Sequence, residues 1–170
     1  AYARYKDPVT SAAMNDHLLG GWGHWVLELD DDKSPIDYDV NKWIELSNGQ
    51  FRKVKLTSNE RTYCNIDLYL MGLLGPDEVG EFYLLRSIQP VADSTTDFTA
   101  GKVCLNVQNF IAQEGPRIPN VATAPKCWRQ AFIVLTKDTD QVRDLVDMVD
   151  LLRLRWERDF KKATKQLGRV

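Results

Sequence analysis

The strongest constraint on the fold is an apolar pattern near the end of the chain. Between about Asp140 and Lys165, apolar side chains recur every three or four residues, at Val142, Leu145, Val146, Val149, Leu152, Trp156, Phe160 and Ala163. This spacing puts them on one face of an α-helix. We therefore predict one long helix here, docked across a sheet by its Trp156 face.

Alternating and continuous apolar runs predict the strands. Trp25, Leu27 and Leu29 alternate with their neighbours, so they form the core face of a strand and His24 points the other way. Further strands are predicted over residues 51–56, 82–88, 103–107 and 131–135. Residues 131–135 form a continuous apolar run, which is typical of a strand buried on both faces.

Capping residues and glycine stops predict several short helices. Thr10 or Ser11 can cap a helix that runs to about Leu19, with Gly20 and Gly21 as its stop. By the same signals, one helix follows Asn65 and ends at Gly72 or Gly75, one opens at Pro76, and one runs from Asn106 to Gln113. Residues 90–100 are predicted to form a surface loop, because this stretch is polar and rich in turn-forming residues.

These elements intermingle without a repeat or a regular alternation, which predicts an α+β fold: a small mixed sheet packed by a long C-terminal helix and several short helices. The 170 residues suit a single domain, or the C-terminal portion of a larger one. The missing initiator methionine at Ala1 suggests processing or trimming.

Charge and hydropathy exclude two classes of partner. The 22 basic and 24 acidic residues give a net charge of −2, so we expect neither a nucleic acid nor an anionic membrane as partner. No run approaches the roughly 20 apolar residues of a membrane helix.

Cys64, Cys104 and Cys127 lack the Cys-x-x-Cys spacing of a zinc-thiolate site or redox pair. In an oxidising compartment Cys104 and Cys127 can pair, which leaves Cys64 odd; the alternative is three buried free thiols.

Histidines are scarce in this chain. The commonest zinc peptidases need two histidines one helical turn apart with a glutamate between them. The chain has only His17 and His24, so this motif is absent, and no Gly-x-Ser-x-Gly elbow or cysteine-protease signature replaces it.

The segment Gly21-Trp22-Gly23-His24-Trp25 is the most unusual local cluster. Two glycines beside tryptophans and a histidine suggest that the backbone approaches something closely. His24 is therefore the first site candidate, against the alternative of a packed histidine with a satisfied hydrogen bond.

Two acidic features complete the candidates. Asp67 lies among apolar residues in 65–72; either it has a functional role, or it bonds backbone amides in the first helical turn, which we favour. Asp30, Asp31 and Asp32 have the oxygen ligands for calcium, but a solvated turn fits better because no loop of alternating ligands follows.

Taken in order, several segments resemble a family of secreted bacterial metallopeptidases related to the metzincin-type zinc proteases. The stretch from Asp67 to Leu73 is specific, and the supporting segments are residues 23–25, 34–38 with Trp43, 65–66, 76–79, 111–119, 131–132 and 155–157 with Phe160, Ala163 and Thr164. The resemblance implies zinc in a complete member and a zinc-binding helix upstream of Ala1.

The resemblance also assigns roles to residues. It implies His24 as the third zinc ligand, residues 34–38 as the turn beneath the metal, with Ile36 in place of the usual methionine, and Tyr38 as the catalytic residue that stabilises the transition state. Residues 69–72 can alternatively supply the methionine turn. Trp25, Asp67 and Tyr69 are the candidate substrate-binding residues, and we expect His24 at the edge of a cleft beside Tyr38.

The resemblance implies two functions. In the first, the chain is the C-terminal part of a secreted, extracellular zinc metallopeptidase-like hydrolase, inactive by itself. In the second, it is a degenerate relative that keeps the fold as a binding or assembly module. The expected partner is a protein or peptide substrate, a missing N-terminal segment, or a partner chain.

Overall fold

A computed structural model describes residues 4–19, 23–36, 42–47, 49–54, 61–86, 97–137 and 140–170. The architecture is α+β, as predicted, with its described strands in small antiparallel sheets. The chain forms two compact units, Ala1–Ala124 and Pro125–Val170. The single-domain organisation stays a prediction.

The first unit opens with a hairpin of β1 (Arg4–Lys6) and β2 (Ala13–His17). The prediction of a helix capped by Thr10 or Ser11 is therefore wrong. The carboxylate of Asp7 accepts hydrogen bonds from the amides of Val9 and Thr10, at 2.9 and 2.8 Å. This side-chain turn reverses the chain before a helix can begin.

The remaining strands form two further sheets. One has the order β3 (Trp43–Glu45), β4 (Gln50–Lys53) and β6 (Phe98–Thr99). The other pairs β5 (Glu81–Arg86) with β7 (Gly101–Asn106) from Glu81 opposite Asn106 to Arg86 opposite Gly101. These strands confirm the predicted extended segments around residues 51, 82 and 103.

The expected strand over residues 24–29 is reduced to isolated bridges. Trp25 pairs with Leu19, and Leu29 pairs with Leu84 of β5. Trp25 and Leu29 are buried in the main core as predicted, whereas Leu27 packs against a second, smaller core. The residues of this predicted strand face are therefore divided between the two hydrophobic cores.

Three of the four predicted short helices are present. Helix α1 (Asn65–Met71) has Cys64 as its N-cap instead of the predicted Asn65, and it ends at Gly72 in the left-handed conformation. A 3₁₀ turn covers Pro76–Glu78. Helix α2 (Val107–Glu114) begins as expected at Asn106, whose side chain accepts from the amides of Gln108 and Asn109. Local capping chemistry determines these boundaries.

The main core of the first unit surrounds α1 and β5. Its buried members include Tyr5, Leu18, Trp25, Leu29, Cys64, Ile66, Tyr69, Val79, Leu84, Leu105, Val107 and Phe110. The smaller core is formed by Trp43, Phe51 and Leu85. Because Leu84 and Leu85 point to opposite faces, β5 joins both clusters.

The second unit contains helix α3 (Val142–Ala163), which confirms the long helix. Phe160 is the buried residue of α3, while Trp156 is 40% exposed and Leu152 49% exposed. Within the second unit, Phe160 makes an edge-on contact with Trp128. Docking of the Trp156 face across a sheet stays a prediction.

Residues 131–135 do not form the predicted buried strand. They have no regular secondary structure, and Ile133 and Leu135 are 79% and 90% exposed. The prediction fails because a strand requires a neighbouring strand to pair with, which the apolar pattern cannot supply.

Some predictions concern residues outside the described ranges: Gly20, Gly21, Trp22, Tyr38, most of the 90–100 loop, and the ends of the strands predicted over 51–56 and 82–88. All three cysteines are free thiols; Cys64 is buried, and Cys104 and Cys127 are exposed. Among the described helices, none is both long and apolar enough to cross a membrane.

Candidate functional site

His24 lies at the surface of the first unit, next to a glycine with positive φ. Gly23 has φ of 78°, and a Cβ there would meet nothing within 4 Å. The ring nitrogen Nδ1 of His24 lies 2.6 Å from the backbone oxygen of Ile36. Since a carbonyl only accepts, Nδ1 carries the proton in this contact. The other ring nitrogen, Nε2, is then the basic one in neutral His24.

The neighbour of His24, Trp25, is anchored in the core by Asp67. The indole Nε1 of Trp25 donates to Oδ1 of Asp67 at 2.7 Å. Trp25 is 3% exposed and Asp67 is fully buried. Both therefore serve to position the backbone, and their contact with substrate stays a prediction.

Asp67 also caps its own helix. Its Oδ2 accepts from the backbone amide of Cys64 at 2.8 Å, at the N-terminus of α1. This confirms the favoured interpretation of Asp67 as a first-turn acid that bonds a backbone amide.

The turn that carries Ile36 is held by two buried polar residues. The carboxylate of Asp31 accepts from the amides of Lys33 and Ser34, each at 3.0 Å, and the hydroxyl of Ser34 accepts from the amide of Ile36 at 3.0 Å. Asp31 and Ser34 are fully buried. The interpretation of Asp31 as part of a solvated turn is therefore wrong.

Ser34 connects this turn to Asp67. The Ser34 hydroxyl, which accepts from the Ile36 amide at 3.0 Å, lies near the Asp67 carboxylate and lowers the pKa of that group. Asp67 thus holds the segment that carries His24 and the segment that carries its hydrogen-bond acceptor.

Burial dominates the electrostatics of this network. Desolvation raises the pKa of Asp67, although hydrogen bonds from Ser34, Cys64 and Trp25 oppose the shift. Burial, with the nearby charge of Asp67, raises the pKa of the Cys64 thiol well above its ordinary value. Cys64 is therefore a poor nucleophile, because the thiolate is the reactive form.

Of the two candidate tyrosines, Tyr69 lies within the described residues and Tyr38 does not. Tyr69 is 4% exposed, and its hydroxyl accepts from the backbone amide of Arg117 at 3.0 Å. It thereby joins α1 to the segment after α2, and its role toward substrate stays a prediction. Tyr38 lies outside the described residues, so the expected cleft between His24 and Tyr38 stays a prediction too.

A cavity of about 230 Å³ opens elsewhere in the first unit, lined by Asp30, Asp32, Lys42, Tyr83 and neighbouring residues. Lys42 forms a salt bridge with Asp32. Burial raises the pKa of Asp30. Burial and the neighbouring Asp30 likewise raise the pKa of Tyr83. The hydroxyl of Tyr83 donates to the backbone oxygen of Trp43 at 2.7 Å. Lys42, Asp32 and the Tyr83 hydroxyl therefore already have partners within the protein.

Within the described ranges, no group of three or more His, Cys, Asp and Glu side chains is arranged to hold a metal ion. His24 therefore can contribute at most one ligand of a site completed by other residues.

Sequence reasoning missed Ser34 and Arg117 as positioning residues. The guanidinium of Arg117 donates to the backbone oxygens of Leu70 and Met71, at 2.6 and 3.2 Å. Both segments, 65–72 and 111–119, had been singled out for their resemblance, but nothing in their sequence indicates that they meet.

Comparison with known proteins adds no identification. No family model matches the chain, and neither the curated proteins nor the solved structures include a match. The geometry around His24 and the resemblance of the segments themselves are therefore the features that bear on function.

Proposed function

We propose that this chain is the C-terminal part of a secreted zinc metallopeptidase-like protein, inactive by itself, in which His24 contributes one zinc ligand. The observation that carries the proposal is the 2.6 Å contact between Nδ1 of His24 and the Ile36 oxygen. Metal-binding histidines almost always donate their second ring nitrogen to a carbonyl or carboxylate, which fixes the tautomer.

Three further features support the same role. His24 is exposed, so its Nε2 is accessible to a metal held by residues from elsewhere. Its backbone is fixed by the Trp25–Asp67 bond at 2.7 Å. Its acceptor is fixed by the bond of 3.0 Å between the Ile36 amide and Ser34. A ligand held from both sides loses little entropy on binding metal.

In this proposal each residue of the chain has a limited task. His24 orients a ring nitrogen toward zinc, and Asp67 and Ser34 position it. Tyr38 stabilises the transition state, as the resemblance implies. Zinc, when bound with its remaining ligands, supplies an activated water. The substrate is a protein or peptide.

The test uses the protein translated with whatever precedes Ala1 in its gene. That protein is expected to contain a His-Glu-x-x-His motif, to bind one zinc ion and to cleave casein. His24→Ala should lower both zinc content and cleavage, whereas His17→Ala, the matched control, should leave them unchanged. Absence of the motif, or full activity in His24→Ala, would refute the proposal.

A further inference from the structure

Helix α3 (Val142–Ala163) carries exposed apolar side chains on a second side, away from Phe160. Met148 is 50% exposed and Leu151 is 65% exposed, and because they lie three residues apart they share one side of the helix. Asp144 stands four residues before Met148, and Arg155 stands four residues after Leu151, so both charges lie on this side too. We call the surface formed by Asp144, Met148, Leu151 and Arg155 the Met148 face.

The two charged residues of the Met148 face are not used within the second unit. Within the described part of the chain, neither Asp144 nor Arg155 forms a salt bridge or a side-chain hydrogen bond, and both are exposed. Other charges of α3 are already paired, namely Arg153 with Asp150 and Glu157, each at 3.0 Å, and Arg158 with Asp159 at 2.9 Å. Asp144 and Arg155 are therefore available to the charges of another molecule.

The Met148 face is its own complement when the helix is reversed. In an antiparallel pair of α3 helices related by a two-fold axis, Met148 can lie opposite Leu151 of the second copy. The same register puts Asp144 opposite Arg155 of the second copy, and symmetry repeats this ion pair at the other end. A parallel pair would instead oppose like charges. The order of the four residues therefore favours a second copy of this chain, in antiparallel orientation.

The remaining charges of the helix agree with this orientation. The acidic residues of its first half, with the one just before it, are Asp140, Asp144, Asp147 and Asp150, and the basic residues of its second half are Arg153, Arg155, Arg158, Lys161 and Lys162. Glu157 and Asp159 of the second half are already paired. Arg143 is aligned with Asp150 and Glu157 at seven-residue spacing, on another side of the helix. Antiparallel pairing thus sets an acidic half against a basic half and also opposes the two helix dipoles.

We propose that the protein forms a homodimer through antiparallel pairing of the Met148 faces of two copies. Met148 and Leu151 of both copies form a small apolar centre, which an Asp144–Arg155 ion pair closes at each end. Because the contact is small, the dimer is weak, with a Kd on the order of 10–100 µM. This surface is independent of the proposed zinc ligand.

The test is sedimentation velocity of the full chain over a wide range of protein concentration, where the mass should rise from monomer to dimer. Asp144→Arg sets two arginines against each other at both ends, and Arg155→Asp does the same with two acids. Each single variant should raise Kd about tenfold or more. The double variant Asp144→Arg, Arg155→Asp restores both ion pairs and should dimerise like the wild type. An equimolar mixture of the two single variants should form a heterodimer for the same reason.

Two further variants serve as the control and as the test of the apolar centre. Arg143→Asp makes the same change of charge as Arg155→Asp on another side of the helix, and should leave Kd unchanged. Leu151→Ser should raise Kd about tenfold or more without lowering the thermal midpoint of the dilute monomer, because Leu151 is 65% exposed. Circular dichroism checks that each variant is folded.

Three results would overturn the proposal. The first is a wild type that stays monomeric at every concentration. The second is a dimer that both single charge reversals leave as tight as that of the wild type. The third is a Leu151→Ser monomer of reduced thermal midpoint, since the Met148 face is then covered by its own chain.

Discussion

The indole of Trp25 and the buried carboxylate of Asp67 are joined by a hydrogen bond of 2.7 Å across 42 positions of sequence. The same carboxylate accepts from the Cys64 amide at 2.8 Å, and the nearby Ser34 side chain lowers its pKa. His24 precedes Trp25, so this network sets where its backbone runs.

Trp25→Phe is expected to destabilise the protein by about 1–3 kcal/mol, because it leaves Oδ1 of buried Asp67 without its indole donor. The measurement is urea unfolding. Trp156→Phe is the matched control, since Trp156 is 40% exposed and its loss of a polar contact is compensated by water. Equal stability of Trp25→Phe and the wild type would contradict the assigned role.

Asp67→Asn is expected to lower the free energy of unfolding, and the size of this loss should depend on pH. Burial raises the pKa of Asp67 above its ordinary value of 3.8. Its stabilising contribution is therefore complete below that value and is lost as the pH rises through the raised pKa. The free energy of unfolding of the wild type should exceed that of the variant by about 1–3 kcal/mol near pH 4, and this difference should narrow toward neutral pH. Unfolding curves measured across this pH range test the direction of the change. A stability difference that widens as the pH rises would contradict the expectation.

Gly72→Ala should cost more than about 2 kcal/mol, from left-handed strain and a steric clash together. Gly72 has φ of 79°, and an added Cβ would lie 2.5 Å from Cβ of Ala124 and 2.6 Å from the Arg117 guanidinium.

Gly80→Ala is the matched control for Gly72→Ala. Its φ is 76°, but an added Cβ meets nothing within 4 Å, so only the strain of about 1–2 kcal/mol remains. Thermal unfolding measures the loss of stability in each variant relative to the wild type. Equal losses in the two variants would show that the close packing around Gly72 is unimportant.

The sequence predicts local structure well and non-local structure poorly. Asn106 and Gly72 act through neighbouring amides and backbone angles, so their helix boundaries could be predicted. Whether the apolar run at 131–135 forms a strand depends on which strands meet. Local patterns do not encode that choice.

In the candidate site, too, local features could be predicted from the sequence and non-local contacts could not. The sequence singles out Asp67 because an acid among apolar residues requires a partner. Ser34 and Asp31 were missed or misread because their complete burial arises from packing of the 31–36 turn against the core. The single contact that orients His24 uses a backbone oxygen, which no sequence pattern identifies.

The isolated chain is expected not to hydrolyse casein when zinc is added. It contains two histidines, and the described residues hold no group of three metal-binding side chains, whereas zinc peptidases need three protein ligands and a general base. Zinc-dependent cleavage that disappears in His24→Ala would contradict this expectation.

The most direct test of the central claim is a long-range ¹⁵N–¹H NMR spectrum of His24 in the folded chain. We predict the Nδ1–H tautomer, because Nδ1 donates to the Ile36 oxygen at 2.6 Å. Added zinc should then shift only the unprotonated Nε2, and His17→Ala should leave this response intact. An Nε2–H tautomer, or zinc binding through Nδ1, would contradict the assignment of His24 as a preoriented metal ligand.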